Sequence, residues 1–589
     1  MSNKKEKSVS GSAFDMSLFM RVMKYVKPYK ALFIFTSFTV FLSAGLAPLR
    51  PWLIQYTLDN SVISPNLEML QFFTVVIVGM LVLESIVQFV QTYLANWLGQ
   101  TVIRDLRVDV YNQITQFKLK YFDQTPIGTL VTRAVSDIET IANIFSEGVL
   151  IILGEVLKIV VVIGVMFYIN WKLTLFCIVP IPILIYATNI FKNYIKVAFQ
   201  DVRNEVSKLN AFVQEHITGM FIVQIFNREK QELDKFKAIN ARHRDAHVRT
   251  VFANSIFFPV VEILSAASIS ILIWWGSREM LDGTVKYGEL LAFILFIYML
   301  FRPIRQLADR FNTLQMGMVA SERVFKILDT DERINGTGKN ITPPISGDIK
   351  FDKVWFAYNN EDWIIKDVSF KVKSGQKIAI VGATGAGKTS IINILSRFYE
   401  YNKGSITIDG NELRDFDADY LSRQVGVVLQ DVFLFSDSIY NNITLNNPEI
   451  SLESVKEAAI KVGAHRFIDR LPDSYNFNVK ERGGMLSVGQ RQLLAFIRAY
   501  IYNPSILVLD EATSSVDTET ENMIQEAIQQ ITAGRTSIII AHRLATIQHA
   551  DVIMVMEKGK IIEIGNHQEL LRKEGAYRKL YDLQFVGSD

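Results

Sequence analysis

Cysteine is nearly absent from this chain of 589 residues: Cys177 stands alone, so no intrachain disulfide and no thiolate metal cluster can form within it. It is expected to pack as a small hydrophobe. An excess of charge of one sign is missing too. Lysine and arginine number 62 against 60 aspartates and glutamates, a formal net charge of +2, which provides no basic field of the kind that holds nucleic acid. Residues 1–12 are polar and lysine-rich with no apolar stretch behind them, unlike a secretory signal, and they lack the arginine-rich amphipathic pattern of an organelle transit peptide. The expectation is a bacterial plasma membrane rather than an organelle.

What the chain does have is long apolar runs confined to its first half. A bilayer core of about 30 Å takes about 20 mostly apolar residues in a helix, and six stretches fit: 31–54, 70–90, 149–169, 173–190, 257–275 and 290–307. The long connectors after the second and fourth stretches stay helical in pattern and carry Arg104, Arg107, Lys118, Lys120, Arg133, Lys192, Lys196, Arg203, Lys208 and Arg228. Residues 59–69 hold no lysine or arginine, so the charge asymmetry puts the connectors, and with them the N-terminus and the C-terminal half, on the cytoplasmic side. Arg278 and Lys286 weaken that asymmetry in the last outer loop. Ahead of the first stretch, Phe19, Met20, Val22, Met23, Tyr25 and Val26 alternate with Arg21, Lys24 and Lys27, the pattern of an interfacial amphipathic helix stopped by Pro28. Glu84, Glu155 and Glu262 fall inside the apolar stretches, where a carboxylate is costly unless paired or facing water.

A polar, glycine-bearing segment closed by Pro343 and Pro344 separates the halves. The expected layout is a cytoplasmic N-terminus with its interfacial helix (1–30), a membrane domain (31–330), a linker (331–346) and a soluble domain (347–589). In the soluble part the apolar run Lys377-Ile378-Ala379-Ile380-Val381 leads into Gly382-Ala383-Thr384-Gly385-Ala386-Gly387-Lys388-Thr389, with helical spacing from Ser390 onward. Strand, glycine loop and helix is the setting in which backbone N–H groups cradle phosphate, a lysine reaches the terminal phosphates and a threonine hydroxyl ligates magnesium. Further on, Leu486-Ser487-Val488-Gly489-Gln490 precedes a second buried strand, 506–509, that ends in Asp510 and Glu511.

In that order these three motifs resemble the ATP-binding cassette (ABC) family, and the resemblance to an exporter half-transporter of the multidrug or lipid type runs over nearly the whole chain. It implies an α-helical six-span membrane domain fused to an α/β P-loop cassette. The implied activity is ATP hydrolysis driving export of hydrophobic or amphipathic compounds by alternating access, with ATP and Mg2+ as cofactors; a peptide exporter or a nucleotide-gated regulator or channel of the same fold is the alternative. The implied catalytic residues are Glu511, as general base toward water, and His542 at the terminal phosphate. Nucleotide contacts fall to Tyr358, stacking on adenine, to Gly382 through Thr389 and Ser390, and to Gln430, Ser487, Gly489, Gln490 and Asp517; Thr389, Gln430 and Asp510 would hold the metal. Since one chain has one phosphate loop and one Ser487 turn, the resemblance implies a second half-transporter facing it, an identical copy being favoured over a divergent one. Val488 departs from the glycine common at that position, which leaves the symmetry of the pair open. Tyr121 to Leu130, with Arg133 and Asp137, resembles the first coupling segment of this branch, and Glu215 to Met220 leading to Glu229 resembles the second. Other implied partners are membrane lipid and a small-molecule cargo, with no role for nucleic acid.

Overall fold

The computed structural model describes residues 15–62, 66–332, 339, 341–359, 361–510, 518–541 and 544–582. They form two compact units, one of 1–115 with 127–330 and the other of 116–126 with 331–589.

In the first unit Asp15 caps α1 (Met16–Lys24), accepting from the Ser17 amide at 2.8 Å. This helix stops before Pro28, which opens a separate 3-10 turn. The first apolar stretch is not one helix: it breaks at Pro48 into α2 (Lys30–Leu46) and α3 (Leu49–Thr57). The second stretch belongs to the 49-residue α4 (Leu67–Thr115), which continues far beyond a bilayer's thickness. After α4 the chain turns through the short α5 (Leu119–Gln124), closed by the extended Thr125 before Pro126. The third and fourth stretches lie in α6 (Val149–Ile169), α7 (Trp171–Ile178) and α8 (Ile181–Thr218). Between α6 and α7 the Asn170 side chain accepts from the Lys172 and Leu173 amides, both at 3.2 Å. A second short helix, α9 (Met220–Ile225), leads to the 53-residue α10 (Glu229–Leu281) with Pro259 inside it, and α11 (Tyr287–Leu328) carries the sixth stretch with Pro303 inside. Among the described residues, 5 helical segments are long and apolar enough to cross a membrane. Large apolar side chains such as Ile34, Phe72, Val75 and Ile263 stand exposed on them, the reverse of a soluble helix and what a lipid solvent permits.

The packed interior of this unit gathers Val162, Leu173, Leu184, Leu272, Phe293 and Phe296 around Cys177, which is fully buried as a small hydrophobe. Gly276 lets α10 approach α11 there, since a Cβ on it would collide with Leu290.

In the second unit a four-stranded antiparallel sheet, β2-β1-β4-β5, joins a six-stranded one, β10-β9-β3-β8-β7-β6. The strands are β1 (Ile349–Phe356), β2 (Ile365–Val372), β3 (Lys377–Val381), β4 (Lys403–Ile408), β5 (Asn411–Glu412), β6 (Val425–Val428), β7 (Ile506–Asp510), β8 (Thr536–Ile540), β9 (Val552–Glu557) and β10 (Lys560–Gly565). β3, β6, β7 and β8 pair parallel, and every residue of β7 and β8 is buried, as two-sided coverage by helices requires. The helices that matter for the site are α12 (Lys388–Leu395) after β3, α13 (Val488–Tyr502) before β7, and α14 (Thr518–Thr532). The antiparallel sheet brings aromatics to a core it shares with the larger sheet, Phe351 stacking on Phe370 at 4.4 Å.

Candidate nucleotide site

Parallel strands end their backbones at one edge of a sheet, and ligands of open α/β folds sit beyond that edge. β3 delivers the glycine loop there and β7 delivers Asp510. Gly382 (φ +152) and Gly387 (φ +99) hold backbone conformations open to glycine, and a Cβ on Gly382 would strike the carbonyl of Met556. The loop therefore closes tightly over the start of α12, whose amides point into it.

Lys388 is buried, and its ammonium donates to the carbonyls of Gly382 at 2.7 Å and Ala383 at 3.1 Å. Burial pulls its pKa below the ordinary lysine range while the Asp510 carboxylate pushes it back up. The Thr389 hydroxyl lies 3.4 Å from Asp510 Oδ2, so two oxygen donors 121 positions apart in the chain meet at the strand ends. Among the described residues no three His, Cys, Asp or Glu side chains cluster to hold a metal by themselves. A threonine hydroxyl beside one carboxylate fits a hard cation that takes its other ligands from phosphate and water, as magnesium does.

Tyr358 is half-buried, with its hydroxyl 3.1 Å from Ser390 Oγ and accepting from Asn393 Nδ2 at 2.9 Å. Its ring meets Phe356 and Tyr399 edge-on at 4.7 and 4.8 Å. Tyr399 in turn donates to Asp123 of α5, and burial together with that carboxylate raises its pKa. Sequence reasoning did not single out Tyr399: after the phosphate-loop helix it reads as an ordinary core aromatic. The Lys118 amide also donates to the Glu332 carbonyl, at 2.8 Å.

Ser487 caps α13 in a reciprocal box, its Oγ accepting from the Gln490 amide at 3.2 Å and its own amide donating to Gln490 Oε1 at 3.0 Å. A serine oxygen that accepts keeps its O–H free to donate. Gly489 is buried, whereas Val488 is 47 % exposed at the head of the helix. Gln430 is exposed just beyond β6. Glu511, Asp517 and His542 lie outside the described residues.

A chain in which the phosphate loop and the carboxylate strand meet at one sheet edge, with a capped serine turn opening α13, has relatives in composition and order. The family model of the ABC transporter transmembrane region matches residues 33–304 and a second model, described as ABC transporter, matches residues 365–514. An uncharacterized ABC transporter ATP-binding protein of Bacillus subtilis is 36% identical over 575 residues, 97% of this chain and 95% of the relative. The chain belongs to the ABC transporter family. An ATP-dependent lipid A-core flippase of Syntrophus aciditrophicus is 32% identical over 571 residues, 97% of this chain and 95% of that protein. A Bacillus subtilis protein provisionally named for multidrug export is 32% identical over 577 residues, covering 97% and 100%. The transporter is thus a multi-pass membrane protein that binds ATP and couples its hydrolysis to export.

In the membrane unit of this transporter, Glu84 on α4 meets Arg50 on α3 at 3.6 Å. The pair neutralises one of the three intramembrane carboxylates with a partner on a neighbouring helix rather than on its own.

Proposed function

We propose that two identical copies of this chain form an exporter of hydrophobic or amphipathic compounds, such as lipids or lipophilic cations, in a bacterial plasma membrane, with α1 and the cassettes in the cytoplasm. Each ATP lies between the glycine loop of one cassette, residues 382–390, and the Ser487–Gly489–Gln490 turn of the other. Tyr358 stacks on adenine, and Lys388 exchanges its carbonyl partners for the terminal phosphates. Thr389, Asp510 and Gln430 hold Mg2+, which when bound neutralises phosphate charge. Glu511 accepts the proton of the attacking water, His542 steadies the terminal phosphate and Asp517 joins the two sites. ATP binding closes the cassettes and turns the cavity outward; hydrolysis resets it.

The observation that carries this reading is the exposed α9. Phe221 is 70 % exposed, and Ile222, Ile225 and Phe226 stand in water beside it, at the end of a connector too polar to lie in lipid. The cassette has a groove of about 780 Å³ whose walls include Phe398, Leu429, Val432, Phe433, Leu445 and Tyr502, with Asp419, Arg423, Asp431 and Arg498 among them, directly beside Gln430. A second copy's α9 can set its apolar side chains against the aromatic and aliphatic part of that groove, and its seating next to Gln430 would join metal occupancy to movement of the membrane helices. The test is the singly expressed chain in liposomes, followed by native mass and by ATP-driven movement of a fluorescent phospholipid and a lipophilic cationic dye. A dimeric mass with ATP-dependent movement of either probe is expected; ATPase activity that appears only on adding a divergent half-transporter would sink the identical pair, and ion currents in place of probe movement would sink the exporter.

A further inference from the structure

The last turn of α11 is where the membrane unit hands the chain on toward the cassette, and it is gripped from two sides. From α1, Arg21 lays its guanidinium over the Phe325 ring, 4.3 Å from the centroid, and pairs with both oxygens of Asp329, Nη1 lying 2.6 Å from Oδ2. From α4, Gln113 donates to the Thr330 carbonyl at 2.8 Å. α1 is itself fixed to α4, since Tyr25 donates to Asp109 at 3.0 Å and Tyr29 to Asp105 at 2.6 Å. One face of α1 is therefore committed: Val22 and Val26 are buried and Arg21 is spent on Asp329.

The opposite face has a different character. Met16, Met20 and Lys24 follow one another four residues apart, so they form one line along the helix. The methionines are 61 % and 57 % exposed, and Lys24, Lys27 and Lys30 are all exposed. α2 starts at Lys30 and is the first half of a membrane span, so this face lies at the height where lipid head groups begin. Two flexible apolar side chains with three lysines around them match an anionic lipid surface, the methionines entering the acyl boundary and the lysine stems reaching up to the phosphates.

We propose that this face of α1 rests on anionic lipid head groups, and that Arg21 is a positioning residue through which the lipid surface fixes the end of α11, the last helix before the cassette. Lipid charge then governs the turnover of the cassettes without touching their nucleotide site. A bidentate guanidinium–carboxylate pair stacked on an aromatic ring suits the task, because it sets an angle as well as a distance.

The experiment compares ATP hydrolysis by the full-length transporter in nanodiscs of phosphatidylcholine alone and of phosphatidylcholine with phosphatidylglycerol. Wild-type kcat is expected to rise about three- to tenfold with phosphatidylglycerol, with the KM for ATP unchanged. Lys24→Gln, Lys27→Gln and Lys30→Gln together remove that rise, and so does Arg21→Asp. Combining Arg21→Asp with Asp329→Arg restores it at wild-type Tm, and Arg21→Gln, which keeps the side chain's bulk, loses it. A wild-type rate indifferent to phosphatidylglycerol overturns the proposal, as does a full rise in the triple glutamine variant or in Arg21→Gln, or a well-folded charge swap that stays flat.

Discussion

α5 and α9 are six-residue helices at equivalent turns of two long connectors, and they end differently. α5 is seated in its own chain: Asp123 accepts from Tyr399 and the Lys118 amide reaches Glu332. α9 presents Met220, Phe221, Ile222 and Ile225 to solvent with no side chain of its helix buried. The two carry different chemistry to suit. α5, Leu-Lys-Tyr-Phe-Asp-Gln, has two charged residues of six and can be held by a few directed hydrogen bonds; α9, Met-Phe-Ile-Val-Gln-Ile, has no charge and, Gln224 apart, only apolar side chains, so it needs an apolar seat. One short helix is thus seated within its own unit, whereas the other leaves an apolar surface in solvent.

The severest way to test that asymmetry is to stop the cycle. Glu511→Gln is expected to lower turnover by about a hundred- to ten-thousandfold while ATP binding persists. With cysteines placed at Phe221 and Leu429 in that background, oxidation should then join two chains in an ATP-dependent manner, Cys177 being too buried to compete; an intrachain product on a denaturing gel would break the comparison. Next in size is Phe221→Ala. If the ring is buried only between copies, its loss removes about 1.5–3 kcal/mol of apolar burial, so turnover falls by about tenfold or more while the single chain's melting temperature stays where it was. The seated helix should respond the opposite way. Asp123→Ala and Tyr399→Phe each lower thermal stability by about 1 kcal/mol, and the double variant is no worse than either single, since one hydrogen bond is lost in all three.

The smallest expected effect is a dependence on pH near α9. His216, at the foot of that helix, has Nδ1 2.8 Å from the Phe212 carbonyl and Nε2 2.8 Å from Glu232, which also pairs with Lys235. Both ring nitrogens face acceptors, which only the imidazolium satisfies together, and the Glu232 bond raises the pKa, with the Phe212 carbonyl and the charge of Glu215 adding to the shift. A raised folded pKa means the stabilisation is complete below the unfolded value of about 6.5 and is lost as pH rises through the folded one. Intrinsic-rate-corrected hydrogen exchange across residues 216–232 is expected to be slower at pH 6 than at pH 8.5, and His216→Gln should make the two alike.

Much of the architecture was legible because it is written in composition and local order. Runs of leucine, isoleucine and phenylalanine broken by few charges point to a membrane at that length, and a strand running into Gly382 announces the loop before any contact is known. The meeting of Thr389 with Asp510 follows from parallel pairing of β3 and β7 through β8, which local order implies once both strands are recognised. What stayed hidden depends on contacts between distant segments. The Arg50–Glu84 pair spans two helices, so no spacing rule finds it. The break at Pro48 was visible as a residue but not as a boundary, because apolar character continues through it. The four-stranded antiparallel sheet rests on pairings such as Phe351 with Phe370, and Tyr399 gains its meaning only from Asp123, far upstream.

Pro259 sits inside α10, a helix that as a straight rod would run about 80 Å at 1.5 Å per residue. It has no N–H for the carbonyl of Ser255 and its ring crowds the preceding turn, so stiffness is interrupted at one point, two residues from where Phe257 stacks on Phe191 of α8 at 4.0 Å. The stacked rings hold the neighbouring helix against that joint like a bearing. The helix nevertheless runs unbroken from Glu229 to Leu281, so a rod of 53 residues carries one missing rung in its hydrogen-bond ladder, and that rung lies beside the aromatic contact with its neighbour.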